Sequence, residues 1–178
     1  MPSCHLFASL HNTVKPHQIY QEADPSLITD MFMFFRDEER EIYKTSLSSM
    51  ASQRKLRPVF IQKKSVPEQI AWIHKTLQMR QSDAIGEHLL QVYFMKGQKP
   101  LLATFCDGVG IEHDEGTVEG DLPEELEADK LKTAVDKLLE DHDAKLVTLY
   151  LLVFNLQVPG GWPSLTELLE SDERLKLA

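Results

Sequence analysis

Apolar residues recur every three or four positions along most of the chain, and this spacing predicts amphipathic helices. Ile70, Ile73 and Leu77 follow the pattern, and residues 131–139 repeat it with leucine and valine. Alternation of apolar and polar residues at every second position, which is typical of strands, is not sustained anywhere. The pattern therefore predicts an all-α protein.

The most apolar run, Leu146–Val158, differs from the other segments because it has no polar face. A helix that is apolar on nearly all sides is surrounded by other helices. A strand is the alternative, since valine, tyrosine and phenylalanine favour strands. The run has thirteen residues, whereas a membrane-spanning helix needs about 20. We predict a central buried helix over residues 146–156 and no membrane-spanning segment.

Capping residues predict where several helices begin. Asp24 precedes Pro25, which combines an N-cap with a proline at the first helical position. Ser65 and Glu68 have the spacing of a capping box, and Asp143 can cap the central helix. Three helix starts are therefore predicted independently of the apolar pattern.

Residue type predicts the conformation of three further segments. Residues 25–53 fit either one bent helix or two helices. Residues 58–64 form a short, partly β-branched segment that begins with proline, which predicts an extended connector or a single short strand. Asp121-Leu122-Pro123-Glu124 predicts the start of a helix by the same capping argument as Asp24.

Together these elements predict one compact domain over residues 1–178 with seven to nine helices. A faint internal repeat relates positions 61 residues apart, for example Ile70 with Leu131 and Leu77 with Leu138. Two or three degenerate helical repeats of about sixty residues would explain it. The corresponding sub-units would be residues 1–64, 65–120 and 121–178.

Composition is that of an ordinary globular protein, with 42% hydrophobic and 26% charged residues over 178 positions. The net charge of −9 disfavours binding to phosphate backbones and anionic lipid, although a local basic patch stays compatible with it. Two cysteines exclude a framework of several disulfides and fit a reducing compartment. The first residues lack a secretory signal pattern, so we predict a cytoplasmic protein.

The stretch 101–116 collects Cys106, Asp107, His113, Asp114 and Glu115. It lacks the paired ligands of a structural zinc site and the alternating ligands of a calcium loop. It also lacks the third glycine of a dinucleotide-binding turn. We interpret it as the end of a helix followed by a solvated acidic loop, with Cys106 as a buried, unreactive thiol. No metal and no cofactor are predicted.

Two further clusters have simpler explanations than chemistry. Cys4, His5, His11 and His17 do not share one face of a helix, so a metal site is not predicted there. The acids of residues 37–41 are interpreted as a solvated helix face rather than as a pair of catalytic carboxylates.

Charge is unevenly distributed along the chain. Residues 52–80 hold seven basic residues against one acid, with Phe60 and Trp72 among them, whereas residues 112–129 hold nine acids and no lysine or arginine. The basic block can face the acidic block of the same chain or of a second copy, or a different partner. The predicted contact residues are Arg54, Lys55, Arg57, Lys63 and Lys64.

Three functions are compatible with this pattern. The favoured one is a non-catalytic protein-interaction or scaffold protein, which binds a protein partner or associates with itself. The second is association with nucleic acid through residues 52–80, where aromatic side chains could stack on bases. The third is an enzyme with a site between helices, for which Cys106, His74, His88 and His113 are the candidate residues.

Overall fold

The computed structural model describes residues 14–178, which form ten helices and one small hairpin. The helices are α1 (Pro16–Glu22), α2 (Pro25–Glu38), α3 (Arg40–Gln53), α4 (Pro58–Gln62), α5 (Val66–Leu77), α6 (Asp83–Val92), α7 (Lys99–Val109), α8 (Ala128–Asp141), α9 (Ala144–Asn155) and α10 (Pro163–Ser171). A 3₁₀ turn, Arg80–Ser82, precedes α6, and a π-helical turn, Tyr93–Gly97, follows it. Strands β1 (His113–Asp114) and β2 (Thr117–Val118) pair antiparallel.

The predicted all-α class is confirmed. Nine of the ten described helices have seven or more residues, and the tenth is α4, which has five. The prediction of an extended connector over residues 58–64 is wrong, because Pro58–Gln62 is helical. Pro58 supplies a preset first helical position, and the turn buries Ile61, which is 3% exposed. Burial of one side chain outweighs the weak strand preference of this short segment.

The three capping predictions are confirmed by hydrogen bonds. The Asp24 carboxylate accepts from the backbone N–H of Ser26 at 2.8 Å. The Glu68 carboxylate accepts from the backbone N–H of Ser65 at 3.0 Å, which is half of the predicted capping box. Asp143 accepts from the N–H of Lys145 at 3.0 Å. These bonds satisfy backbone donors that the first turn of a helix leaves without a partner.

Residues 25–53 form two helices, α2 and α3, which break at Glu39. The predicted helix start at Asp121 is wrong, since α8 begins at Ala128. Tertiary contacts hold the preceding segment in an irregular conformation: the indole N–H of Trp162 donates to the carbonyl of Pro123 at 2.9 Å. The hydroxyl of Ser164 donates to the Glu125 carboxylate at 2.6 Å.

Helix α9 is the centre of the fold, as predicted, and the alternative of a strand is excluded. Its buried residues lie on all sides, and Val147, Leu149 and Leu151 are fully buried. Edge-to-face contacts join Tyr150 and Phe154 to Phe105 on α7. A wider set of aromatic contacts continues through Phe94, Tyr93, Phe35 and Phe32 to α2, and through Trp162 to α10.

The buried apolar side chains of the described residues form one cluster from Ile19 to Leu177. The single domain over residues 1–178 and its three sub-units stay predictions. The internal repeat stays a prediction. Helices α6 and α9 begin 61 residues apart, at Asp83 and Ala144. Agreement in where helices begin does not establish a repeated packing arrangement. Within residues 14–178, no helix combines the length and the apolar character needed to cross a membrane.

Asp24 connects three parts of the chain. Its carboxylate caps α2 and pairs with Lys145 at the start of α9, while its backbone N–H donates to the carbonyl of Leu177 at 2.9 Å. The bond from Lys145, followed by those from Ser26, holds the pKa of the Asp24 carboxyl well below its ordinary value of 3.8. A carboxyl with a lowered pKa stabilises the folded state above its unfolded pKa, and this contribution is lost as the pH falls.

We predict that Asp24→Asn lowers the free energy of unfolding at about pH 7, and that the difference from wild type shrinks below about pH 4. Asparagine keeps the N-cap, so the variant removes only the charge. Urea denaturation across this pH range measures the effect, with Asp121→Asn as an exposed control. A difference that stays constant down to about pH 3 would contradict the assignment.

Candidate functional site

The segment that joins α3 to α4, together with α4 itself, presents apolar side chains to solvent. Four large apolar side chains among residues 14–178 are exposed, and three of them are Leu56, Val59 and Phe60. Phe60 has the largest exposed fraction, 61%. Single exposed apolar residues are common on protein surfaces, but a contiguous group indicates an interaction site.

Four cations surround these side chains: Lys55, Arg57, Lys63 and Lys64, all of them exposed. We call these four residues, with Leu56, Val59 and Phe60, the cationic apolar surface. Across the described part of the chain, none of the four has a carboxylate oxygen within 4.0 Å. Their charges are therefore available to a partner.

Arg54, the fifth predicted contact residue, has a different environment. Its guanidinium lies 5.7 Å from the centre of the Trp72 ring and donates to the hydroxyl of Thr76 at 3.2 Å. These contacts attach the end of α3 to α5, and they also remove Trp72 from the set of aromatic rings that are free to stack on a ligand. Arg54 therefore supports the cationic apolar surface instead of belonging to it.

The end of α3 places Lys55 in the left-handed region, with φ of +55°. The N–H of Leu56 donates to the carbonyl of Ala51, and the N–H of Lys55 donates to that of Ser52, both at 2.9 Å. These are the two bonds of a Schellman motif, in which glycine usually occupies the left-handed position. Helix α7 ends in the same way with Gly110 at φ of +76°. A lysine at this position strains the backbone, because its Cβ crowds the following carbonyl.

The turn that carries Lys63 and Lys64 is attached to α5 by one side chain. The Gln69 amide donates to the carbonyls of Gln62 at 3.1 Å and Lys64 at 2.9 Å. Its oxygen accepts from the hydroxyl of Tyr43 at 2.9 Å. The end of the cationic apolar surface that carries Lys63 and Lys64 is therefore fixed in position relative to α5.

A second group of cations lines a cleft of about 580 Å³ beside α4. Arg36, Arg40 and Lys44 lie in its wall with a single acid, Asp37, and Gln62 of α4 completes it. Arg36 pairs with Asp37 at 3.7 Å and Lys44 pairs with Glu41 at 3.3 Å. Among the described residues, Arg40 is therefore the one cation of this wall without an ion pair, and the cleft adds little positive charge.

The acidic block does not meet the basic block within the described chain. It forms two ion pairs with lysines outside the block: Glu115 pairs with Lys99 at 2.7 Å, and Glu127 pairs with Lys130 at 2.9 Å. No ion pair among residues 14–178 links it to a cation of residues 52–80. The possibility that the two blocks neutralise each other inside one chain is therefore not realised.

The stretch 101–116 forms the end of α7 and a hairpin that packs on it. Glu115 and Gly116 both have positive φ, 47° and 87°, as a two-residue type I′ turn requires. His113 joins the hairpin to α7: its Nε2–H donates to Asp107 at 3.0 Å, and its Nδ1 accepts from the N–H of Gly116 at 2.9 Å. The prediction of an irregular acidic loop missed this hairpin.

None of the catalytic candidates has the partner that nucleophilic catalysis requires. Cys106 is 1% exposed, and burial raises the pKa of its thiol to about 11, so the thiol stays protonated. Both ring nitrogens of His113 are already hydrogen-bonded, and His74 donates to the carbonyl of Tyr20 at 2.7 Å. His88 is exposed. A thiolate activated by a neighbouring base is not formed by these residues.

Metal ligands are likewise not brought together. In the described range, 14–178, no three side chains of histidine, cysteine, aspartate or glutamate are placed to share one ion. His17 pairs with Asp83 at 2.9 Å, while Cys4, His5 and His11 lie outside the described residues.

Sequence reasoning identified the cations of this site but missed Leu56 and Val59. No local signal separates these two residues from the buried Ile61, because their exposure is decided by how α4 packs on α3 and α5. The chain matches no protein-family model, no curated protein and no solved structure.

The strain at Lys55 leads to a prediction. We expect Lys55→Gly to raise the free energy of unfolding by about 1 kcal/mol, because glycine adopts positive φ without the Cβ clash. Lys63→Gly is the matched control, since Lys63 has φ of −78° and gains nothing from glycine. Urea denaturation of both variants measures the difference; a Lys55→Gly protein less stable than wild type would contradict the interpretation.

Proposed function

We propose that this protein is a non-catalytic interaction module that uses the cationic apolar surface to bind an acidic segment of another protein. The observation that carries the proposal is the grouping of three of the four exposed large apolar side chains within residues 56–60, beside four unpaired cations. The segment it binds carries aspartate or glutamate on both sides of a large apolar residue.

The apolar part of the surface supports burial against a partner. Leu56, Val59 and Phe60 lie within five consecutive residues, with Val59 and Phe60 on α4 and Leu56 two residues before its start. They therefore offer a partner one short apolar segment. Aromatic side chains near the centre of an interface often contribute more than their share of the binding energy. Phe60 is the residue in that position here.

The charged part of the surface supports an acidic partner. Lys55, Arg57, Lys63 and Lys64 form a local positive region on a chain whose net charge is −9. Opposite charges around an apolar contact accelerate association and disfavour basic partners.

Nucleic acid fits the surface less well. Binding to single strands relies on several stacking aromatic rings along a basic groove, whereas Phe60 is the one aromatic of residues 52–80 that is exposed. Trp72 packs with Arg54. Leu56 and Val59 are aliphatic, so they gain little from phosphates or from base stacking.

A second copy of the chain also fits less well. Its residues 112–129 have the required charge, but their apolar residues are already used: Leu126 is 3% exposed, and Val118 and Leu122 pack on the core of their own chain. An acidic segment without a free apolar residue can pair with the cations of the surface, but it leaves the apolar side chains of the surface without a contact. The proposed partner is therefore a different protein.

A selection from a random peptide library displayed on phage, with the full chain immobilised, tests the proposal. We expect enriched peptides to carry aspartate or glutamate around one leucine, phenylalanine or tryptophan. Fluorescence anisotropy then gives the affinity of selected peptides for the wild type and for variants. Both Lys63→Glu with Lys64→Glu, and Phe60→Ser, should weaken binding about tenfold or more.

The control is Lys132→Glu with Lys137→Glu, which makes the same change in net charge at two exposed lysines of α8. It should leave peptide affinity nearly unchanged. Labelled oligothymidylate and vesicles containing phosphatidylserine serve as competing ligands. The proposal is wrong if the selection shows no acidic preference, if both double variants act alike, or if either competing ligand binds more tightly than the selected peptides.

A further inference from the structure

A cavity of about 290 Å³ lies between α7, α9 and the turn after α6, on elements that do not belong to the cationic apolar surface. Its wall includes Phe94, Leu102 and Cys106 on one side and Tyr150 and Val153 of α9 on the other. Clefts between helices are common places for small-molecule sites, and their volumes begin at about 300 Å³.

No side chain in the wall of this cavity carries a charge. Its polar groups are neutral: the amides of Gln91 and Gln157 and the hydroxyl of Thr117. The thiol of Cys106 is also neutral, because burial raises its pKa to about 11. An ionic ligand would lose its hydration here without gaining a counter-charge, which is costly.

The hairpin and the residues after it cover the cavity. Gly116, Val118 and Leu122 contribute to the wall. Gly116 approaches α7 so closely that a Cβ at this position would lie 2.4 Å from the Cβ of Leu102. The cover is therefore seated directly on α7, and Met95, which is 46% exposed, lies at the opening.

The cover also brings negative charge near the cavity. It belongs to residues 112–129, which hold nine acids and no lysine or arginine. Several of them, including Glu112, Asp114 and Glu119, are exposed. A negative potential of this kind repels anions, such as carboxylates and phosphates, before they reach the apolar wall.

We propose that this cavity binds a small, neutral, mainly apolar molecule of about the size of two fused rings. The aromatic side chains Phe94, Tyr150 and Phe154 contact the apolar part of the ligand. The amide oxygens of Gln91 and Gln157 accept a hydrogen bond from its one polar group, because their N–H groups already donate to Glu87 and to the carbonyl of Val153. Cys106 contributes apolar contact and does not react. The site does not depend on the partner proposed above, because it shares no residue with the cationic apolar surface.

Calorimetric titration of the full chain with 2-naphthol, which is neutral at about pH 7, tests the proposal, and 2-naphthoate serves as its anionic counterpart. We expect saturable binding of 2-naphthol with a dissociation constant below about 1 mM. Binding of 2-naphthoate should be at least about tenfold weaker, because its carboxylate must approach the acidic cover without a cation in the wall.

Val153→Phe fills the cavity and should weaken 2-naphthol binding at least about tenfold. Leu152→Phe is the matched control, since it makes a similar change at the next position of α9, which does not line the cavity. Phe60→Ser should also leave binding unchanged, and so it separates this cavity from the cationic apolar surface. Circular dichroism confirms that each variant is folded.

If Val153→Phe does not fold, Met95→Glu replaces it, because Met95 is exposed and the change adds a charge at the opening without altering the core. It should weaken 2-naphthol binding as well. The proposal is overturned if 2-naphthol does not bind saturably, if 2-naphthoate binds equally well, or if the cavity variant binds 2-naphthol as tightly as Leu152→Phe.

Discussion

Burial of α9 on all its sides is the constraint on which the rest of the structure depends. A helix without a polar face needs neighbours all round it; α6, α8 and α10 pack against it, and Phe105 of α7 contacts its aromatic rings. Each fully buried leucine or valine stabilises the folded state by about 1.5–3 kcal/mol. Asp143 caps its first turn, and Lys145 pairs there with Asp24. The positions of the surrounding helices therefore follow from the need to cover α9 on every side.

Elements whose conformation depends on interactions between residues close in sequence could be predicted from the sequence. Caps such as Asp24 and Ser65, and the apolar period, act within a few residues, so their signals lie in the sequence itself. The predictions were wrong where contacts between residues distant in sequence determine the conformation. The segment before α8 stays irregular because Trp162 and Ser164 bind its Pro123 and Glu125. Residues 58–62 become helical because Ile61 is buried. Neither contact is visible in the local pattern.

The candidate site shows the same division. The cations of residues 54–64 are evident in sequence, but which of them are free is a tertiary property. Arg54 is held by Trp72, whereas Gln69 binds only the backbone carbonyls of Gln62 and Lys64 and leaves the lysine side chains free. The acidic block was expected to be a loop, and it contains a hairpin because Glu115 and Gly116 adopt positive φ. Turn conformation of this kind is set by packing against α7.

Folding alone does not account for the cationic apolar surface. A glycine in place of Lys55 would end α3 with less strain, as Gly110 does for α7, and polar residues in place of Leu56, Val59 and Phe60 would leave the core intact. The present residues therefore make the folded chain less stable or less soluble than the fold requires. Positions that depart from what local conformation favours are expected at functional sites. This departure, together with unpaired charge at the same place, is the physical reason for our proposal that the chain binds a partner through α4 and the turn before it.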